Sequence, residues 1–173
     1  LLRGQSRPRW VPTLLEPPHF RDLVLLLVLF SVTVGIRSWL AAQRTVAEPG
    51  DTFNFLFIAQ ALLQGRLPQR ENRLPGYPAV VAALWALGVD PLVAATVVSV
   101  AASGGTAILL YLLGRRFRLH PFPLALFILL YGISPLASVN GIRPLADSFF
   151  LFTVLLAVYC ATVVRPTWRF ALG

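Results

Sequence analysis

Apolar residues run through this chain in long blocks, and the polar residues are gathered in short groups between them. A helix rises about 1.5 Å per residue, so about 20 apolar residues cross the hydrocarbon core of a bilayer. Four blocks approach or reach that length, at 23–40, 91–113, 121–142 and 144–164. The pattern predicts an all-α polytopic membrane protein with four transmembrane helices.

Three positions interrupt these blocks. Arg37 lies near the end of the first span, where we expect its side chain to snorkel toward the interface. Pro135 is expected to kink the third span, and Asp147 interrupts the fourth. The first span follows 22 residues and lacks a clear A-x-A cleavage site, so it is interpreted as an uncleaved anchor.

The arginines predict the orientation, because cytoplasmic segments are enriched in positive charge. With the N-terminus inside, segments 1–22, 114–120 and 165–173 carry nine arginines and two acids, a net charge of +7. The outer side then carries six arginines and five acids, or +1, which completes the +8 of the whole chain. Both ends are therefore predicted in the cytoplasm.

The outer segment 41–90 is the expected location of function. Long loops in compact proteins are usually functional or disordered, and this one is too apolar for disorder. It contains two predicted short helices, 52–64 before Gly65 and 78–87 before Gly88. Both are too short to span, so we expect them to rest in the interface or pack on the bundle.

Composition narrows the function further. The chain is 57% hydrophobic and 13% charged, with a mean hydropathy of +0.72 and arginine as its only basic residue besides histidine. The arginines are scattered between apolar spans and form no basic aromatic surface, which argues against nucleic-acid binding. Cys160 is alone in an apolar span, so we expect a small buried hydrophobe. Lacking Met, the chain is expected to be a piece of a longer protein, inactive by itself.

Asp51 has two interpretations. As a helix cap it would accept a hydrogen bond from a nearby backbone amide, worth about 1 kcal/mol. As a functional group it would be a base at the mouth of a cavity lined by lipid. Spacing alone favours the cap, and the two roles are compatible because a cap holds its carboxylate in a fixed orientation.

The arginines of the outer loop and the acid of the fourth span also have two interpretations each. Arg66, Arg70 and Arg73 form either a solvated face touching anionic headgroups or a phosphate clamp, and charge alone favours the former. Asp147 would cost about 2.5–3.5 kcal/mol at a helix centre, less near an end, and Arg143 four residues earlier could offset that cost. Two roles of Asp147 stay open, a structural ion pair with Arg143 and a functional role in the site. In either role its side chain is expected to face protein.

Three stretches together resemble a known family: "ALLQG" closing the first outer helix, "RLPGYPAVVAALWALG" after it, and "NGIRPLADSFFLFTVLL" opening the fourth span. Their order resembles the N-terminal half of the GT-C glycosyltransferases, in the branch of protein-mannosyltransferase-like and lipid-A-aminoarabinose-transferase-like enzymes. The resemblance covers roughly residues 23–164.

The resemblance implies an inverting glycosyltransferase in a bacterial plasma membrane, which transfers a sugar from a polyprenyl-phosphate donor to a protein, glycan or lipid acceptor outside the cytoplasm. It makes Asp51 the catalytic base and assigns Arg73, Tyr77, Arg143 and Asp147 to the donor phosphate and its cavity. Many relatives carry paired acids where this chain has Asp51 and Thr52. The missing second acid weakens the case for a metal, and no cofactor is evident.

Two other functions remain open. A transporter or lipid-flipping subunit would use Asp147 and Arg143 to gate a path, whereas a scaffold would use every charge structurally. In each case Ala101 and Gly105, four residues apart, would serve close helix packing.

Overall fold

The computed structural model describes residues 20–43, 51–66, 75–134, 138, 142 and 146–163. These residues form helices and turns and contain no strand. The six helices with defined bounds are α1 (Phe20–Gln43), α2 (Asp51–Leu63), α3 (Gly76–Ala86), α4 (Pro91–Arg116), α5 (Pro121–Ile133) and α6 (Ala146–Val163). The all-α prediction is confirmed for this part of the chain.

Two of the helices are long and apolar enough to cross a membrane. They are α1, with 24 residues, and α4, with 26 residues. The other helices with defined bounds are apolar but shorter. The length and composition of α1 and α4 are typical of membrane spans, and the four-span arrangement stays a prediction.

Helix α4 is the centre of the bundle and packs against α1, α3, α5 and α6. It runs antiparallel to α1, since Tyr111 lies at Asp22 whereas Gly104 lies at Phe30. It runs parallel to α6, since Gly105 lies at Phe152 and Arg116 binds the backbone of Thr162. The buried stretch of α4 is rich in small residues, which let neighbouring backbones approach closely.

Two adjacent glycines of α4 receive the closest approaches. A Cβ at Gly104 would lie 2.7 Å from the side chains of Phe30 and Val34 on α1. A Cβ at Gly105 would lie 2.5 Å from the ring of Phe152 on α6. The sequence paired Gly105 with Ala101, but Ala101 is exposed and Gly104 is the second contact residue.

Polar contacts join the helices at the end of α4 where the chain turns into α5. The Tyr111 hydroxyl donates a 2.5 Å hydrogen bond to Asp22 Oδ1, and Arg115 Nε lies 3.3 Å from the same oxygen. Arg116 donates to the backbone carbonyl of Thr162. We call this end of the bundle, with Asp22 and the turn 117–120, the arginine end.

Helix α5 breaks beside the residue where the sequence predicted a kink. The span 121–142 was expected to kink at Pro135, and the observed helix stops at Ile133, whereas the described residues Ser138 and Ile142 are again helical. Ser134 follows with an extended backbone, φ −55° and ψ 130°. The reason is steric, because the ring of Pro135 disfavours helical geometry in the residue before it.

Two side chains differ from their expected environments. Arg37 is only 3% exposed rather than snorkelling outward, since α5 packs beside α1 at this level, with Gly132 against Thr33. Cys160 is exposed, which makes the expectation of a buried residue wrong. Within the described residues α6 packs on α4 and α3 only, so its far side is left uncovered.

Candidate functional site

The candidate site lies at the end of the bundle opposite the arginine end, where α2 and α3 pack on the first half of α4. Phe55 contacts Tyr77 near the start of both short helices, and Ala59 and Val81 join the same apolar cluster one turn later. Helices α2 and α3 therefore pack against each other and share one apolar cluster. The cluster is completed by Ala94, Ala95 and Val98 of α4.

Tyr77 is the centre of this cluster. It is 2% exposed, and its hydroxyl donates to the carbonyl of Ala95 at 3.0 Å, with Ser99 Oγ 3.3 Å away. Burial raises the pKa of Tyr77 to about 12, and the hydrogen bond to Ser99 opposes this shift only in part. The phenol is therefore neutral and directed into the helix pack.

Aromatic contacts carry the cluster from α2 to α6. The ring centroid of Tyr77 lies 5.4 Å from that of Phe55, edge-on, and 5.9 Å from that of Phe149. A Cβ at Gly76 would lie 3.7 Å from Phe149. The starts of α2, α3 and α6 thus meet at one place, although they are far apart in sequence.

This meeting brings two of the candidate acids to the same end of the bundle. Asp51 is the first residue of α2, one turn before Phe55, and Asp147 lies two residues before Phe149. Both side chains are exposed. Each acid lies in the first turn of its helix, at the end where the backbone amide groups are directed outward.

The local sequence fixes which side of α2 carries the acid. Asp51 is exposed, but the next residue, Thr52, is fully buried, and its Oγ1 has no hydrogen-bond partner among the described residues. A second carboxylate at position 52 would be enclosed in this packing at a large desolvation cost. The packing of α2 therefore disfavours an acid at position 52.

The remaining sequence-predicted residues divide into two groups. Arg73, Arg143 and Arg70 lie outside the described residues, so their proximity to the acids stays a prediction. Asp147 is exposed, which contradicts the expectation that it would face protein. Arg66, directly after the Gly65 turn that ends α2, is exposed as well.

Sequence reasoning missed the role of Asp90. Its carboxylate caps α4 by accepting hydrogen bonds from the amides of Leu92 at 2.9 Å and Val93 at 3.0 Å. The signal was present in the sequence, since an acid before proline and an apolar run is typical of a helix start. Asp90 is therefore a structural acid on the same side of the molecule as Asp51.

Among the described residues, no three His, Cys, Asp or Glu side chains are grouped closely enough to hold a metal ion. Comparison of the chain with family models, with curated proteins and with solved structures finds no match. The resemblance to GT-C glycosyltransferases therefore rests on the three quoted stretches and their order.

Proposed function

We propose that the protein is a membrane glycosyltransferase of the GT-C type, which transfers a sugar from a polyprenyl-phosphate donor on the extracytoplasmic side. The observation that carries the proposal is the placement of Asp51. Its carboxylate is exposed at the start of a short apolar helix that Phe55 and Tyr77 hold against the bundle, at the end opposite the arginine end.

The proposed membrane topology has four spans, formed by α1, α4, the segment that begins with α5, and α6. Exposed aromatic residues support it, since Phe20 and Trp39 lie near the two ends of α1. Their separation of 19 residues corresponds to about 28 Å of helix, close to the ~30 Å of a bilayer core. Aromatic side chains are enriched at both interfaces.

The chemistry needs a base and a group that stabilises the leaving phosphate. Asp51 would accept the proton of the acceptor hydroxyl while the oxygen of that hydroxyl attacks the anomeric carbon from the face opposite the phosphate. The bond between that carbon and the phosphate oxygen breaks, its electron pair leaves with the polyprenyl phosphate, and the configuration inverts. Arg73 and Arg143 would stabilise the charge on the phosphate, with Asp147 at the rim of the cavity.

Tyr77 takes a different part in this proposal from the one the resemblance implies. Its hydroxyl is engaged with α4 and its ring is enclosed by Phe55 and Phe149. These contacts support a positioning role, in which Tyr77 fixes α2 and so the orientation of Asp51. The donor phosphate is left to the arginines.

The test is sugar transfer by the full-length protein reconstituted in lipid vesicles with a polyprenyl-phosphate sugar. We expect Asp51→Asn to lower kcat by at least about a hundredfold with donor binding unchanged, because general base catalysis contributes about 10²–10⁴. Asp90→Asn is the matched control, since asparagine caps a helix as well as aspartate does. Transfer at the wild-type rate by Asp51→Asn would remove Asp51 from the role of base.

The same variants separate the enzyme from a transporter. A transporter gated by Asp147 would lose substrate flux in Asp147→Asn and show no dependence on Asp51. A scaffold would tolerate Asp51→Asn and Asp147→Asn with small losses of stability.

A further inference from the structure

The turn between α4 and α5, together with the first turn of α5, exposes three large apolar side chains close together in sequence. Phe117 is 70% exposed, Leu119 50% and Phe122 69%, all within six residues. Large apolar side chains that are exposed together are typical of surfaces that contact a membrane or another protein. This turn therefore has the character of a segment that inserts into an interface.

Charge accompanies this apolar surface. The described residues at the arginine end include Arg21, Arg115, Arg116 and Arg118, against Asp22 as the one acid among them. Four positive charges minus one leave a net charge of +3. An alternation of arginine with phenylalanine and leucine is typical of segments that bind anionic membrane surfaces.

Two of these arginines are held by protein contacts. Arg115 lies against Asp22 and donates from Nη1 to the carbonyl of Leu119 at 3.1 Å, whereas Arg116 donates to the carbonyl of Thr162. Arg21 and Arg118 are more exposed. They are thus the two guanidinium groups at this end that are best placed to meet a ligand from the membrane.

The backbone fixes the position of Arg118. Its φ is +63°, a left-handed conformation that usually takes glycine at the end of a helix. The turn is closed by hydrogen bonds from Arg118 N to Arg115 O at 2.9 Å and from Leu119 N to Gly114 O at 3.0 Å. Arg118 is therefore presented from a defined turn, between the exposed side chains of Phe117 and Leu119.

We propose that the arginine end binds the headgroup phosphate of an anionic phospholipid. Arg118 and Arg21 contact the phosphate oxygens, and Phe117, Leu119 and Phe122 lie among the upper acyl-chain carbons. Charge complementarity supports this ligand, because a guanidinium binds phosphate oxygens in pairs. The cytoplasmic leaflet, which this end is predicted to face, carries negative charge. The site is at the opposite end of the bundle from Asp51, so it is independent of the transfer reaction.

The test measures the dissociation constant of phosphatidylglycerol for the intact protein in a neutral detergent, by native mass spectrometry. Arg118→Asn removes the charge with a residue that tolerates left-handed geometry. We expect about fivefold weaker binding, since each arginine near an anionic surface contributes about that factor. The double variant with Arg21→Gln should weaken binding about twenty-five-fold. Arg118→Lys keeps the charge but loses the paired contact, so its affinity should lie between those of the wild type and Arg118→Asn.

Three controls make the result decisive. Arg66→Asn removes an exposed arginine at the opposite end and should leave binding unchanged. Phosphatidylcholine should bind the wild type several-fold more weakly, and inorganic phosphate, which lacks acyl chains, more weakly still. Equal affinity for the two lipids, or phosphatidylglycerol binding by the double variant at wild-type strength, would overturn the proposal.

Discussion

At the scale of single residues, Tyr77 shows how a sequence motif acquires a role from its surroundings. The resemblance to GT-C glycosyltransferases implied that Tyr77 contacts the donor, since the "YP" pair follows Arg73 in the quoted stretch. In the structure, the Tyr77 hydroxyl donates a hydrogen bond to the carbonyl of Ala95, and the Tyr77 ring contacts Phe55 and Phe149. What the sequence could not reveal is the direction of the side chain, which depends on packing of four helices.

Tyr77 also makes stability depend on alkaline pH. Burial raises the pKa of Tyr77 to about 12, whereas the phenol of an unfolded chain titrates near 10. The folded state therefore binds more protons between these values, and stability falls as the pH rises from about 10 to about 12. The total loss across this window is about 2–3 kcal/mol, and below pH 10 none of it has occurred.

We therefore expect Tyr77→Phe to lose about 1 kcal/mol at neutral pH, from the missing hydrogen bond, and to make the alkaline decline less steep. Unfolding of the detergent-solubilised protein at pH 7 to 12 would measure both effects. Tyr131→Phe, at an exposed position, is the control. An alkaline decline as steep in Tyr77→Phe as in the wild type would contradict this assignment.

At the scale of elements, the boundaries were largely readable from sequence. The predicted helices 52–64 and 78–87 are observed as Asp51–Leu63 and Gly76–Ala86, and both end at glycines with positive φ. Local rules suffice there, because a C-terminal glycine ends a helix whatever surrounds it. Helix α5 was harder, since proline within an apolar run is compatible with either a kink or an end.

The packing of α4 gives a prediction at this scale. Gly105→Ala would bring a methyl group to 2.5 Å from the ring of Phe152, and the ring would have to move. We expect a loss of about 1–3 kcal/mol from overpacking, measured as thermal unfolding in detergent. Gly35→Ala on α1 is the control, because nothing lies within 4 Å of its added methyl group.

If Gly105→Ala and Gly35→Ala were equally stable, the close approach of α4 and α6 would not contribute to the fold. A loss of stability confined to Gly105→Ala would show that α6 packs closely on α4 because Gly105 has no side chain.

At the scale of the whole molecule, the two ends of the bundle have different chemistry. The arginine end has an exposed aromatic turn. The opposite end has three acids at or near helix starts, Asp51, Asp90 and Asp147. The charge asymmetry predicts that the first end faces the cytoplasm. The orientation can be checked directly, because Cys160 is the only cysteine of the chain.

In a Cys160→Ser background, we expect Arg66→Cys to react with a membrane-impermeant maleimide added to intact cells, and Arg118→Cys to react only after the cells are opened. Both positions are exposed, so access to the reagent decides the outcome. Labelling of Arg118→Cys in intact cells, with Arg66→Cys protected, would reverse the orientation and remove Asp51 from the outer face.

The sequence by itself determined the helical character, the apolar blocks and the charge asymmetry. These are properties of short stretches, since a helix satisfies its own backbone hydrogen bonds and a bilayer selects apolar length. The glycine turns after α2 and α3 belong to the same class.

The tertiary structure alone decided which side chains meet. It buried Arg37 and Thr52, exposed Asp147 and Cys160, and brought the start of α2 to that of α6 through Tyr77. The apolar residues of α2 occur on nearly every face, so periodicity could not show which face packs. That choice depends on contacts between residues distant in the chain, because burial is decided by the neighbours that cover a surface.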